Sequence, residues 1–414
     1  MFIIYSLLYI LAIIVLFQPQ YFKRPKDLRH KWLNEKLGSI PETDSAIWIH
    51  AVSVGEVNAS IPLIKKLRAK YPRFPIVLST ITDTGRRVAM DKSPEGTEVI
   101  YLPFDITFIL KRCLRRVRPK IFIAIETELW PNIFRVMAEN SVPVIILNGR
   151  ISGKSAKRYR KISFFMKKVF SYVKIFGMQS LLDADRLESI GADRAKIIIT
   201  GNFKYDMDMS GGTPSWAEGL KGPVIVAGST HSGEEEIILS ACMENLDGFP
   251  GLKLILAPRH PERFKEVEDM LRRKGISYVK RSEFANGNKQ PWTSENLVVL
   301  LDSVGELSSV YGIADIAVIG KSFTGFGGQN PLEPAYWGRP VICGPHMENF
   351  PFIGEFCKEG AAFEVEASGL GRKIGELLLD PRKKEISGEK ARALFIKNAG
   401  AVDRAVKIIG EYLN

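Results

Sequence analysis

Gly325-Phe-Gly-Gly-Gln-Asn-Pro-Leu-Glu-Pro-Ala-Tyr-Trp-Gly-Arg-Pro-Val-Ile-Cys-Gly-Pro345 follows an apolar run, Ile316 to Ile319, that reads as a buried strand. Pro331 suits the first position of a helix and Glu333 falls inside its first turn, while Pro340 to Ile342 reads as a second strand closing at Gly344-Pro345. Strand, glycine loop, helix and strand make a βαβ unit. Its glycines let backbone approach a ligand closely, and free N–H groups at a helix start suit an anion. Glycine content alone does not separate an anion site from an ordinary βαβ connection.

The same alternation runs upstream. Strands are predicted at Pro223 to Ala227, Leu252 to Ala257, Tyr278 to Lys280 and Val298 to Leu301, with Gly228-Ser229-Thr230-His231-Ser232 as a loop and a helix from Glu234. In the first half they fall at Ile47 to Val52, Ile76 to Ser79, Val99 to Leu102, Ile121 to Ile125, Val144 to Leu147 and Ile175 to Met178. Strands and helices taking turns argue an α/β chain with parallel, doubly wound sheets. Ser210-Gly211-Gly212-Thr213-Pro214-Ser215 has linker composition. The predicted organisation is therefore a membrane anchor (1–20), a Rossmann-like domain (21–209), a second Rossmann-like domain (216–390) and a last helix (391–414) able to return to the first half.

Charge separates the halves. Residues 21–206 hold 34 Lys+Arg against 18 Asp+Glu, and residues 207–414 hold 24 against 28. Something anionic is expected to meet the first half: a phosphorylated substrate, acidic lipid or, less readily, nucleic acid. Cys113, Cys242, Cys343 and Cys357 lie far apart without a CxxC, which points away from a disulfide framework or zinc site and fits a reducing compartment.

Residues 1–17 carry no charge and read as an uncleaved membrane segment, since Gln18-Pro19-Gln20 follows in place of a cleavage site. At ~1.5 Å per residue these positions reach ~26 Å, short of a ~30 Å hydrocarbon core, so an interfacial or re-entrant helix stays open. Lys23, Arg24, Lys26, Arg29 and Lys31 follow with only Asp27 against them, which keeps the rest of the chain cytoplasmic by the positive-inside rule. The basic and aromatic segment Lys154 to Lys174 reads equally as a membrane-resting surface or as a solvated helix face.

In parallel sheets ligands bind at the carboxyl ends of strands, where Glu56, Glu126 and Asn148-Gly149-Arg150 all fall. Pro258-Arg259-His260-Pro261, also at a strand end, offers a guanidinium between rigid prolines, suited to a phosphate. With Gly228-Ser229-Thr230, Val304-Gly305-Glu306 and Asn330-Pro331-Leu332-Glu333 it predicts a second half built for a nucleotide monophosphate or nucleotide sugar. The five histidines show no metal-ligand spacing, and no Ser/His/Asp or Cys/His set can be argued. Asp183-Ala-Asp185 and Asp206-Met-Asp208 read as a helix start and a linker border rather than metal ligands.

Together, the anchor, Ser53-Val54-Gly55-Glu56, Glu126-Thr127-Glu128-Leu129-Trp130-Pro131-Asn132, Asn148-Gly149-Arg150, Gly201-Asn202-Phe203-Lys204, Pro258-Arg259-His260-Pro261 and Asn330-Pro331-Leu332-Glu333 resemble the 3-deoxy-D-manno-octulosonic acid (Kdo) transferase family. The resemblance spans nearly the whole chain. It implies a GT-B glycosyltransferase, two Rossmann-like domains facing a cleft, that moves Kdo from CMP-Kdo to lipid IVA in lipopolysaccharide biosynthesis. It further implies a place at the cytoplasmic side of the inner membrane, with no metal or other cofactor and no nucleic-acid partner. By match, Glu56 resembles the general base, and Glu126 and Lys204 the residues supporting the transition state. Pro258-Arg259, Val304 to Glu306 and Asn330 to Glu333 resemble the CMP contacts, with Ser229, Thr230 and Arg150 as further donor or acceptor contacts. The chain departs from the pattern at Gln329, where His is usual, and at Lys321, where Gly or Ser is usual. Two alternatives stand beside this reading: a membrane-associated GT-B enzyme using a UDP-sugar and another lipid acceptor, and a non-enzymatic, membrane-tethered binder of anionic ligands.

Overall fold

A computed structural model describes residues 1–206, 212–217, 222–286 and 297–413. Asp208 and the first linker residues, Ser210 and Gly211, lie outside these described residues. The chain divides into two compact units, Met1–Met207 with Asn398–Asn414, and Asp208–Lys397.

Unit 1 is built on seven strands, β1 (Ala46–His50), β2 (Ile76–Thr80), β3 (Thr97–Tyr101), β4 (Pro119–Ile125), β5 (Val144–Gly149), β6 (Val173–Met178) and β7 (Ile197–Ile199). They pair in parallel in the order β3-β2-β1-β4-β5-β6-β7. Runs such as Ile121–Ile125 are buried on both faces, as a sheet covered by helices on each side requires. The strand order reverses between β1 and β4, and at such a switch point the two neighbouring crossovers leave a crevice at the strand ends. Three helices precede or follow β1 closely: α1 (Phe2–Phe22), α2 (Lys26–Lys36) and α3 (Val54–Lys70).

Unit 2 repeats the plan with β8 (Val224–Thr230), β9 (Lys253–Pro258), β10 (Tyr278–Lys280), β11 (Val298–Leu300), β12 (Ile316–Ile319), β13 (Val341–Cys343) and β14 (Ala362–Glu364). The parallel order is β10-β11-β9-β8-β12-β13-β14, and its switch point lies between β8 and β12.

The single last helix predicted from Ala391 is instead two. Helix Pro381–Asn398 belongs almost wholly to unit 2, and helix Ala401–Leu413 belongs to unit 1. Gly400 breaks them apart with φ +85°, a conformation costly for other residues. Asp206 then accepts from the Gly400 and Val402 N–H groups at 2.5 and 2.7 Å, capping the final helix, which buries Val402, Ala405, Val406 and Ile409 in the same core cluster as Val57, Ile61 and Ile64 of α3.

Candidate active site

In unit 1 the charged residues gather at the strand ends around the switch point. Ser53 caps α3, its Oγ accepting from the Glu56 N–H at 3.4 Å. The Glu56 carboxylate answers: Oε2 accepts from the Val52 N–H at 2.8 Å and Oε1 from the Ser53 hydroxyl at 2.9 Å. This is the Ser-x-x-Glu arrangement of a capping box with the return bond going to Val52, one residue before the cap, and that spacing was its legible signal. The box accounts for where Glu56 sits. Its chemistry comes from burial, which pushes the carboxyl up to about 7 against the pull of the Val52 N–H; the charges of Glu126 and Glu128 add to the rise, and the Ser53 hydroxyl opposes it. A carboxylate near 7 is well matched to taking a proton at neutral pH.

Glu126 ends β4 with φ +60°, and Asn148, on the neighbouring strand β5, has φ +56°. Two non-glycine residues held left-handed on adjacent strand ends are a strain that surrounding structure must enforce. Part of that structure is visible. The Glu126 N–H donates to the Leu147 carbonyl at 2.8 Å, and Asn148 Oδ1 accepts from the Phe203 N–H at 3.0 Å. The second bond holds the short turn Phe203–Asp206 against β5, and that turn carries Lys204. Burial raises the Glu126 carboxyl while Lys204 and Arg150 lower it; burial lowers the Lys204 ammonium while Glu126 supports it. Glu56, Glu126, Lys204 and Arg150 are thus one electrostatic cluster at one end of one sheet. Half-buried Glu128, raised by desolvation and then by Glu126, is a further member.

In unit 2 the strand ends are tied by one side chain that sequence reasoning passed over. Glu234 is fully buried and accepts four backbone N–H groups: His231 at 2.9 Å, Lys321 at 2.6 Å, and Ser322 and Phe323 at 2.9 Å each. It joins the loop after β8 to the loop after β12. Ser229 and Lys321, at φ +57° and +56°, are left-handed on those same two strand ends. The Arg259 N–H donates to the Thr230 carbonyl at 3.0 Å, which brings the end of β9 alongside and leaves its side chain exposed.

Asn330 holds Glu333 through Nδ2 to Oε1 at 3.3 Å; burial raises the Glu333 carboxyl, and the Asn330 bond and the Arg259 charge lower it. Buried Tyr311, whose ionisation is suppressed by burial and by Glu333, was also missed. A Cβ on Gly228 would lie 1.8 Å from its hydroxyl, so this strand end needs glycine. Pro258-Arg259, Ser229-Thr230 and Asn330-Pro331-Leu332-Glu333 therefore meet around one switch point. Val304, 77% exposed, and Gly305 follow β11, while the Glu306 carboxylate is paired with Arg281 at 2.7 and 2.8 Å. Among the described residues no group of three or more His, Cys, Asp and Glu side chains is placed to hold a metal ion.

The family described as 3-deoxy-D-manno-octulosonic-acid transferase (kdotransferase) matches residues 31–207. The chain is 37% identical over 378 residues to the 3-deoxy-D-manno-octulosonic acid transferase of Haemophilus influenzae, covering 89% of this chain and 87% of that one. It is 35% identical over 354 residues to the enzyme of the same name from Aquifex aeolicus, covering 85% and 91%. Among solved structures, a glycosyltransferase from Rickettsia africae matches with a TM-score of 0.56 at 16% identity, covering 90% of this chain and all of that one, which shows the shared GT-B fold. On identity and coverage the chain belongs to the 3-deoxy-D-manno-octulosonic acid transferase family.

Proposed function

We propose that this chain is an inverting glycosyltransferase that moves Kdo from CMP-Kdo to lipid IVA at the cytoplasmic face of the inner membrane. Glu56 carries the reading: a buried carboxylate raised to about 7, grouped with Glu126, Lys204 and Arg150 at the switch point of unit 1. A sugar hydroxyl on the acceptor is a poor nucleophile. As its oxygen attacks the anomeric carbon of Kdo, Glu56 takes the proton, the bond from that carbon to the CMP phosphate oxygen breaks, and CMP departs with the electron pair. The carbon is oxocarbenium-like as CMP leaves, so attack from the opposite side inverts it. Glu126 and Lys204 support this transition state electrostatically. Arg259 balances charge on the phosphate, and Asn330 and Glu333 hold the ribose side of the nucleotide. The basic excess of residues 21–206 suits an acceptor that carries two phosphates.

Purified protein given CMP-Kdo and lipid IVA is expected to release CMP and form Kdo-lipid, with mass spectrometry of the lipid as the readout; a folded preparation that yields neither refutes the assignment. CMP is expected to raise the melting temperature and UDP not to, because binding the native state alone stabilises it. The reverse ranking would select the UDP-sugar alternative. The pH dependence follows from Glu56 acting in its ionised form. With the carboxyl at about 7, kcat/KM is expected to fall about tenfold per pH unit below 7 and to level off above it. A profile flat from pH 5 to 8 would remove Glu56 as the base.

A further inference from the structure

The amino-terminal helix carries its own information. α1 is apolar around its whole circumference, yet its two sides differ in kind. Phe2, Tyr5, Tyr9, Ile13, Phe17 and Tyr21 recur every three or four residues and pack on unit 1, whereas Ile3, Ile4, Leu7, Leu8, Leu11, Ile14 and Val15 are 58–76% exposed. The mainly aromatic stripe is engaged from end to end. Phe2 meets Phe165 and Tyr172 at ring separations of 5.5 and 5.9 Å, Tyr9 meets Trp130 at 6.4 Å, and Phe17 and Tyr21 meet Trp32 at 6.0 and 6.3 Å.

Polar bonds fix the register. Asp105, 1% exposed, accepts from the Tyr5 hydroxyl at 2.8 Å and from the Asn132 and Ile133 N–H groups at 3.1 and 2.7 Å, and Asn132 Nδ2 donates to Ser6 Oγ at 2.9 Å. Arg135 stacks over Phe2 at 4.8 Å.

This packing conflicts with a helix that crosses a bilayer. Twenty-one residues at ~1.5 Å each reach about 31 Å, the thickness of a hydrocarbon core. If α1 stood across that core, the parts of unit 1 that touch it from its first turn to its last would stand in hydrocarbon too, Asp105, Arg135 and the cations beside them included. Laid in the plane of the surface, the same helix needs no such burial. Its aliphatic side then faces lipid, and exposed cations flank both ends: Lys167 and Lys168 on the helix Ser163–Ser171 that meets Phe2, with Lys157, Arg158 and Lys161 just before that helix, and Lys23 and Lys26 after Phe22. Exposed Phe164 lies on the helix that packs against Phe2, one residue from Phe165.

We infer that α1 is an in-plane element of unit 1 that seats the enzyme in one leaflet of an anionic membrane through its aliphatic side and does not span the bilayer. The inference rests on the proposal that this chain works at a membrane, and adds the manner of attachment.

The test places single nitroxide labels at Ile3, Leu7, Leu11 and Val15, on the exposed side, in full-length protein with Cys357 replaced by Ser, and adds the protein to preformed vesicles with and without phosphatidylglycerol. The expected result is one shallow depth at all four positions, about 5–10 Å below the headgroups. Binding to uncharged vesicles is expected to be at least about tenfold weaker. A cysteine added before Met1 is expected to react with an impermeant maleimide supplied outside. A depth that rises to the bilayer centre at Leu11 and falls again toward Ile3 and Val15, or a protected amino terminus, would overturn the in-plane seat while leaving the membrane reading intact. Equal binding to uncharged vesicles would remove the anionic partner. Failure to bind either vesicle, with the labels buried in a dimer, would overturn both.

Discussion

Glu56→Gln is expected to lower the rate of Kdo transfer by about 10²- to 10⁴-fold, the usual contribution of a positioned general base, and to leave CMP binding unchanged. The capping box makes this substitution informative. A glutamine at the same place is itself a capping-box residue. Its carbonyl oxygen can accept from the Val52 N–H, now at 2.8 Å from Oε2, and its amide can donate to Ser53 Oγ in place of the present hydroxyl-to-Oε1 bond. The helix start is therefore conserved and the proton acceptor is removed. Thermal melting within about 2 °C of the parent, CMP titration by calorimetry and a steady-state rate together separate the two effects. If the rate stays within threefold, Glu56 is a helix cap and nothing more. Glu56→Ala would not decide this, because it also leaves the Val52 N–H unpaired.

Much of this architecture was legible in the chain, and the parts that were not share a cause. Uninterrupted apolar runs such as Ile121 to Ile125 announce a strand covered on both faces, and the residue after each run marks the strand end. Glu126 and Arg259 were placed at strand ends that way, and Glu56 at the strand-to-helix junction after Val52. The last strand of each sheet, β7 and β14, was not. Ile197–Ile199 and Ala362–Glu364 are three residues long, and two of the three isoleucines are exposed, so neither length nor burial pattern sets them apart from loop. A long-range partner is equally silent. Nothing near Tyr311 says that its hydroxyl packs against Gly228, and nothing in Asn148 says that it holds the turn bearing Lys204. The two sides of α1 were hidden for another reason. Both are apolar, so a hydropathy reading sees one uniform segment, and only the separation of aromatic from aliphatic residues distinguishes the side that meets protein from the side left exposed.

The second large effect is expected at Glu234, which lies outside every motif that drew attention to unit 2. Its two oxygens serve two pairs of donors. Oε1 accepts from Ser322 and Phe323, and Oε2 accepts from His231 and Lys321. Glu234→Ala strands four buried or half-buried N–H groups, each costing about 1–3 kcal/mol when left without a partner. Water and local relaxation will recover part of this, and a net loss of at least about 3 kcal/mol is expected. For a unit of this size that corresponds to a drop of roughly 6–12 °C in its melting temperature. Glu234→Gln is not the mild change it resembles, since its amide nitrogen would face one of the two donor pairs. It should fall between the parent and the alanine variant.

The neighbouring Glu236, whose side chain is 56% exposed and paired with Lys274 at 3.2 Å, supplies the control: Glu236→Ala is expected to change stability by no more than about 0.5 kcal/mol. The functional consequence follows from where the donors lie. Lys321, Ser322 and Phe323 lead directly into Gly325–Pro345, so releasing them frees the glycine stretch that precedes Asn330 and Glu333. CMP affinity is expected to fall by more than about tenfold in Glu234→Ala at a temperature where the protein is still folded, with Glu56 untouched. A variant that melts within 2 °C of the parent and binds CMP normally would show that the glycine stretch keeps its shape without Glu234.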